Sequence, residues 1–310
     1  MSNKAPFPIQ PELTAIAIAY RNKRLIADLV LPRVPVGKKE FKYLKYNMGD
    51  QFTVPSTKVG RKTAPNMAET SATETPGLID DCALEDFVPV DDVQNAAPGQ
   101  NPIANSTEFL TSLIDLDREV RCAALVFDAA QYGASNKIAL SGSDQWSDNI
   151  GSDPITQILT ALDACIMRPN IMVIGRAAFT KLSTHKNIVQ AVFRTSQNGG
   201  IVPAQAIADL FGLDEVLIGE ALVNSAKKGQ APALARTWGK HAALLYRDST
   251  AARVGGTTFG FTASFLGRQV YSWQDQETGS RGGTKIKVAD SVKEVICAND
   301  LGYFIQNAVA

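Results

Sequence analysis

The chain has 310 residues, 45% of them apolar, with 31 Lys and Arg against 31 Asp and Glu. That length and apolar content support one large folded domain or two smaller ones with real cores. A formal net charge of zero argues against a free nucleic-acid binder, which carries a basic excess, and leaves self-association unopposed by global repulsion.

The zero is a cancellation between blocks. Residues 1–62 carry a net charge of +8, residues 63–150 carry −12, and residues 151–310 carry +4. No apolar run approaches the roughly 20 residues of a membrane helix. Residues 13–19 are apolar, but Pro11 precedes them and no basic start or cleavage pattern frames them, so a secretory signal is not expected. Cys82, Cys122, Cys165 and Cys297 are far apart and form no CxxC pair, so they read as reduced, packed thiols rather than metal ligands.

In chain order, residues 1–10 are Pro-rich and irregular, and residues 12–22 can form a short helix. Residues 25–36 are apolar but hold Pro32 and Pro35, which favours extended chain. FKYLKY (41–46) is rich in strand formers. Asn47-Met48-Gly49-Asp50 signals a turn, after which residues 51–54 can resume the strand. Residues 55–77 are rich in Thr, Ser, Pro and Gly and read as a mobile tip, and residues 78–90 as a returning strand.

Residues 38–92 therefore read as one long hairpin. Its outgoing arm carries Lys38, Lys39, Lys42 and Lys45. Its return arm carries Asp80, Asp81, Glu85, Asp86, Asp91 and Asp92, so opposite charges would face each other across the pair. A projecting hairpin cannot bury its own faces and needs a neighbour to lie on.

The clearest helix spans residues 105–132, with Asn105 and Glu108 as a capping box and Gly133 as its stop. Phe109, Leu113, Leu116, Val120, Ala124 and Phe127 form its apolar stripe. Asp117 with Arg121, and Asp115 with Arg118, have helical pairing distances and serve either as surface pairs or as contacts between subunits.

Beyond residue 152 the pattern is mixed. Asp153-Pro154 is a cap followed by Pro at the first helical position, with Ile155, Ile158, Leu159, Leu162 and Ile166 on the buried face. A strand at 171–174 precedes helices at 176–184, 187–194 and 204–211, the last ended by Gly212. Strands follow at 216–223 and 241–246 and then at 258–265, 268–274, 284–288, 292–298 and 303–309.

Chemistry is hard to find. His185 and His241 are the only histidines, and neither has metal-site spacing. No GxSxG, P-loop or GxGxxG occurs, and adjacent acids on a strand point to opposite faces. No catalytic, cofactor-binding or metal site is expected, and the chain does not read as an enzyme.

Several stretches, in this order, resemble the major capsid proteins of tailed bacteriophages with the Hong Kong 97-type fold. They are PELTAIAIAYRNKRLIADLVLPRVPVGKKEFKYLKYN (11–47), PNIMVIGRAAFTKLSTHKNIVQAVF (169–193) and GLDEVLIGEALVNSA (212–226). The Trp238-Gly239 pair with HAALLYRD, then FGFTASF (259–265) and VADSVKEVICANDLGYFIQNAV (288–309), complete the series. The resemblance implies an α+β fold with an N-arm (1–37), an E-loop hairpin (38–97), a P-domain (98–152 and 254–310) with spine helix 105–132, and an axial A-domain (153–253).

It also implies a structural virion subunit, assembled in the host bacterial cytoplasm into hexamers and pentamers of an icosahedral head around double-stranded DNA. Copies of the chain would be the main partner, with a portal protein at one vertex and separate scaffolding and decoration proteins as further partners. The DNA contact would be non-specific, and no membrane would be involved. Lys42, Lys45, Lys58, Arg61, Lys62, Asp115, Asp117, Arg118 and Arg121 are the candidate inter-subunit contacts. Some members join an E-loop lysine covalently to a neighbour's asparagine. Lys58 and Lys62 lie near the tip, but no partner Asn or catalytic Glu can be matched, so no crosslink is expected. The competing reading is a minor virion or DNA-associated binding protein that uses the basic N-terminal arm.

Overall fold

The structure, a computed structural model, describes residues 24–46, 52–68, 72–97, 99–193, 199–227, 229–248 and 257–310. The helix expected at 12–22 and the turn at 47–50 lie outside these residues.

The described chain opens with a short helix, α1 (Ala27–Val30), and strand β1 (Arg33–Pro35). Next come β2 (Glu40–Tyr46), β3 (Ala72–Leu78), β4 (Asp80–Pro89) and the short helix α2 (Val90–Gln94). The long helix α3 (Pro102–Val126) leads to β5 (Lys137–Ala139) and α4 (Pro154–Ala164). Then follow β6 (Ile171–Gly175), α5 (Arg176–Thr184), α6 (Lys186–Phe193), α7 (Ala204–Phe211) and β7 (Glu215–Gly219). The chain closes with β8 (Leu222–Asn224), β9 (Leu234–Arg236), β10 (Ala242–Leu245), β11 (Gly260–Asp275), β12 (Gly283–Ile296) and β13 (Gly302–Gln306).

A five-stranded sheet, β5-β13-β10-β6-β7, lies between two cores. Alternation along its strands explains why. Met172, Ile174, Val216, Ile218, Leu244 and Ile305 point into a core covered by α4 to α7. Ile171, Val173, Leu217, Ala243, Leu245 and Phe304 point the other way, into a core shared with residues 26–31, the end of α3 and Trp238.

The second sheet has the order β1-β11-β12-β4. Val88, Ile286 and Val288 on its inner face pack against Leu110 and Ile114 of α3. The segments read as two strands at 258–265 and 268–274 are one strand, β11, broken in register between Phe265 and Gln269. Leu266 and Gly267 both adopt positive φ there and absorb the extra residues as a bulge.

The hairpin is rearranged relative to expectation. The outgoing strand β2 pairs with β3, with Lys42 opposite Pro76 and Lys45 opposite Thr73. Residues 80–89 pair with β12 instead, Asp80 opposite Val292 and Pro89 opposite Gly283. The charge matching predicted across the hairpin is therefore mostly made elsewhere. Asp80 pairs with Lys293 (2.8 Å) and Asp91 with Arg281 (3.0 Å), while Asp81 meets the outgoing arm, at Lys39. Leu78 and Asp80 flank the single residue at which the chain passes from one sheet to the other. Residues 53–54 are irregular rather than a resumed strand.

The long helix also shifts. It starts at Pro102, capped by Asn101, whose side chain accepts from Ile103 N (3.1 Å) and Ala104 N (3.2 Å), and it ends at Val126 rather than near Gly133. Its buried face carries Ser106, Leu110, Ile114, Arg118, Cys122 and Val126, one helical step from the predicted stripe. Phe109 and Leu113 of that stripe are 57% and 37% exposed.

Candidate assembly surfaces

Three features of the described chain bear on function: an ionic junction under the N-terminal segment, an exposed hairpin tip, and a long strand with a free edge.

The junction is built on α3. Glu119 is fully buried, and its carboxylate accepts from Ile26 N (3.0 Å), Ala27 N (2.8 Å) and Trp238 Nε1 (2.6 Å). It thus caps the first turn of α1 and ties down the loop before β10 with the same two oxygens. Hydrogen bonds to a charged acceptor are the stronger kind, each contributing roughly 1.5–3 kcal/mol.

Arg118, one residue earlier, is also buried. It ion-pairs with Asp28 and donates to Leu31 O (3.3 Å) and Thr262 Oγ1 (3.1 Å). Arg33 bridges Asp28 (2.9 Å) and the buried Asp290 (3.0 Å). Arg268 joins Asp290 (3.1 Å) to Asp115. Arg121 pairs with Glu294 (3.2 Å) and Asp117. Burial opposes ionisation of Asp28, but Arg118 and Arg33 outweigh it and hold the carboxyl below its usual range. Removing one partner from such a lattice strands a buried charge, at a cost of about 3–5 kcal/mol.

This arrangement locates four of the sequence-predicted contacts. Asp117 and Arg121 form the expected i,i+4 pair. Asp115 and Arg118 do not pair with each other. Asp115 turns to Arg268 and Arg118 to Asp28, because Arg118 sits on the buried face of the helix. Asp28, Arg33, Glu119, Arg268, Asp290 and Glu294 were not among the predicted residues. Apart from Arg33 and Asp28, which are 5 positions apart, their partners lie 22 to 257 positions away, beyond the reach of local spacing. Trp238 had one sequence signal, the Trp-Gly pair.

At the hairpin, Lys42 pairs with Glu74 (2.5 Å), one strand across. Lys45 is placed by its backbone opposite Thr73. Lys58, Arg61 and Lys62 are all exposed in the tip, where residues 52–68 contain no Asp or Glu. Val54 and Met67 in the same stretch are each 89% exposed. The tip is a basic, apolar-studded surface that its own chain leaves open.

The histidines fill structural places. His185 Nδ1 accepts from Asn187 N (3.3 Å) and its Nε2 lies 3.0 Å from Ser152 Oγ. His241 Nδ1 accepts from Asn307 N (2.9 Å), with its ring against Phe127 and Phe304. Burial pushes the Cys165 thiol up to about 12 and holds Cys122 well above its ordinary value. Among the described residues, no cluster of His, Cys, Asp or Glu could hold a metal ion, and no helix is long and apolar enough to cross a membrane.

Two sheets packed on a long helix, with a hairpin leading off the edge of one of them, define an α+β fold of the Hong Kong 97 type. Solved structures bear this out. A phage-related protein from Bordetella bronchiseptica RB50 superposes with a TM-score of 0.71 at 23% identity, covering 97% of both chains. The capsid structure of the cyanophage P-SCSP1u gives 0.63 at 11% identity, covering 94% of this chain and 90% of that one. Residues 126–224 match the family described as Phage major capsid protein E. The major capsid protein of Pseudomonas phage JBD67 is 51% identical over 310 residues, the full length of both chains. The chain belongs to the phage major capsid proteins, structural proteins of the virion shell.

Proposed function

We propose that this chain assembles with copies of itself into hexamers and pentamers, which close into an icosahedral head around double-stranded DNA. The observation that carries the reading is the β2–β3 hairpin with its tip. Two strands and a described stretch of 17 residues, every one exposed, have too little core to justify themselves within one subunit. They make sense when a neighbouring copy supplies the missing surface. Head-to-tail contacts of that kind close into rings.

Within this reading, residues 1–37 act as the N-arm, and its final stretch is clamped by Glu119 and Arg118. The projecting part of the 38–97 segment is β2, the tip and β3, while β4 completes the P-domain sheet beside β12. The helix α3 is the spine, residues 153–253 form the axial domain, and 254–310 return to the P-domain. Assembly takes place in the host bacterial cytoplasm, with a portal protein at one vertex and scaffolding or decoration proteins as separate chains. The inter-subunit contacts fall to Lys58, Arg61 and Lys62 at the tip and to Lys42 and Lys45 at its base. The test is electron microscopy of the purified chain. Regular capsomers or closed shells are expected, and a persistently monomeric protein with salt-sensitive DNA binding would favour a DNA-associated virion protein instead.

A further inference from the structure

Among the described residues, the distal half of β11 is an unguarded sheet edge. On one side it pairs with β12 as far as Asp275, but on the other β1 covers only Thr262, Ala263 and Ser264. Among the described residues, nothing pairs with 269–275 on that second side. Long exposed edges are normally blunted by Lys, Pro or a covering element. The sequence QVYSWQD has neither residue, and Val270, Tyr271 and Trp273 are 53%, 47% and 41% exposed.

The register shows which groups are open. Val90 N donates to Gly282 O (3.2 Å), which sets the even-numbered residues of β12 toward β4 and the odd-numbered ones toward β11. Tyr271 lies opposite Lys287, and Trp273 opposite Lys285. The odd-numbered residues of distal β11 are thus bonded to β12, and Val270, Ser272 and Gln274 turn their N–H and C=O groups to the free edge.

We infer that this edge pairs antiparallel with the same edge of a second copy, about a two-fold axis through Ser272. The inference rests on the shell reading, which makes copies of this chain the abundant partner. It also rests on the strand's fit to itself. Centred on Ser272, the pairing sets Tyr271 against Trp273 of the second copy twice over, a favourable aromatic cross-strand pair. Val270 faces Gln274. The one charge in the stretch, Asp275, faces Gln269, so no like charges oppose each other. A two-fold contact of this kind uses one patch on both copies and closes on itself. It would join two four-stranded sheets into one of eight strands. The outer edge of β2 on a second copy is the competing occupant, but it would bring Lys42 and Lys45 along the strand with only Asp275 to meet them.

The test is Ser272→Cys in the full chain, assembled and then oxidised mildly. Directly opposed residues of a bonded antiparallel pair have Cα atoms about 5.5 Å apart, within disulfide reach. The expected result is a band of twice the subunit mass on a non-reducing gel. Val270→Cys alone should give none, and the V270C/Q274C double variant should restore it. Shells that form normally without the S272C dimer overturn the edge pairing and leave the shell reading standing. A dimer that appears only when S272C is combined with Lys42→Cys also overturns it, by placing β2 on this edge. If the unsubstituted chain builds no shells, the shell reading itself fails.

Discussion

Single residues in this chain carry their partners from far away, and His185 shows what that means for stability. Its Nδ1 accepts the Asn187 amide, and the Ser152 hydroxyl that meets Nε2 already donates to Asp148 O (2.6 Å). The ring is therefore held neutral with its proton on Nε2, and protonating Nδ1 would set a donor against a donor. Burial lowers the affinity of His185 for a proton further, with Lys186 acting in the same direction and Asp148 and Asp153 against it. His241 is lowered by burial in the same way. A base whose folded pKa lies below its unfolded value of about 6.5 contributes full stability above that pH. The contribution is lost as pH falls from about 6.5 toward the folded value. The carboxylates that are shifted here, such as Asp28 and Asp153, are shifted below the usual carboxylate range and so do not titrate in this window. Urea unfolding of the unassembled subunit should show a lower midpoint at pH 5.5 than at pH 7.5. His185→Asn should narrow that difference. Equal midpoints at the two pH values would show that neither ring is held neutral.

Among elements, the meeting of β6, β7 and the turn before β10 is the tightest. A Cβ on Gly219 would lie 2.1 Å from Trp238 Cγ, and one on Gly175 would lie 2.2 Å from Gly239 O. The strand ends are thus shaped around Trp238, which is fully buried and hydrogen-bonded to Glu119. Gly219→Ala should displace the indole, break that hydrogen bond and destabilise the subunit by about 3 kcal/mol. A red-shifted tryptophan emission and a lower urea midpoint are the readouts. Gly199→Ala, with open space around its Cβ, should stay within about 0.5 kcal/mol. A stable Gly219→Ala with unchanged emission would show that Trp238 is not packed as described. Elements were legible in the sequence where their signals are local. Asp153-Pro154 opens α4, and Gly212, at φ 67°, closes α7. Asn101-Pro102 is the same opening signal, and it outweighs the one at Asn105. The buried face of α3 departs from the apolar stripe because it includes Ser106 and Arg118. These are buried only because Asp86 (2.6 Å from Ser106) and Asp28 receive them, and hydrophobicity alone selects the neighbouring stripe. Strand β3 falls within the predicted tip because its sequence, ATETPGL, is turn-like. It pairs nonetheless, with the Phe41 ring lying over Gly77, where a Cβ would come within 2.5 Å.

For the whole molecule, the question is what a net charge of zero does in a subunit that packs against its own copies. Much of the acidic block is satisfied internally, through Glu74, Asp80, Asp81, Asp91, Asp115 and Asp117. The basic tip is different, because Lys58, Arg61 and Lys62 stand exposed in a stretch without a single carboxylate. In a subunit with no overall repulsion, that local excess is free to select an acidic surface on a neighbour, and the contact is one that salt can screen. The Debye length falls from about 10 Å at 0.1 M to about 3 Å at 1 M. Replacing all three with Gln should leave the subunit's unfolding midpoint unchanged, since exposed surface substitutions add little to stability. Assembly followed by light scattering should need a higher protein concentration in the variant at low salt. It should also lose most of the salt dependence that the unsubstituted chain shows between 0.05 and 1 M. A variant that assembles at the same threshold, with the same salt dependence, would mean that the tip docks through Val54, Met67 and its backbone and that its cations face only water.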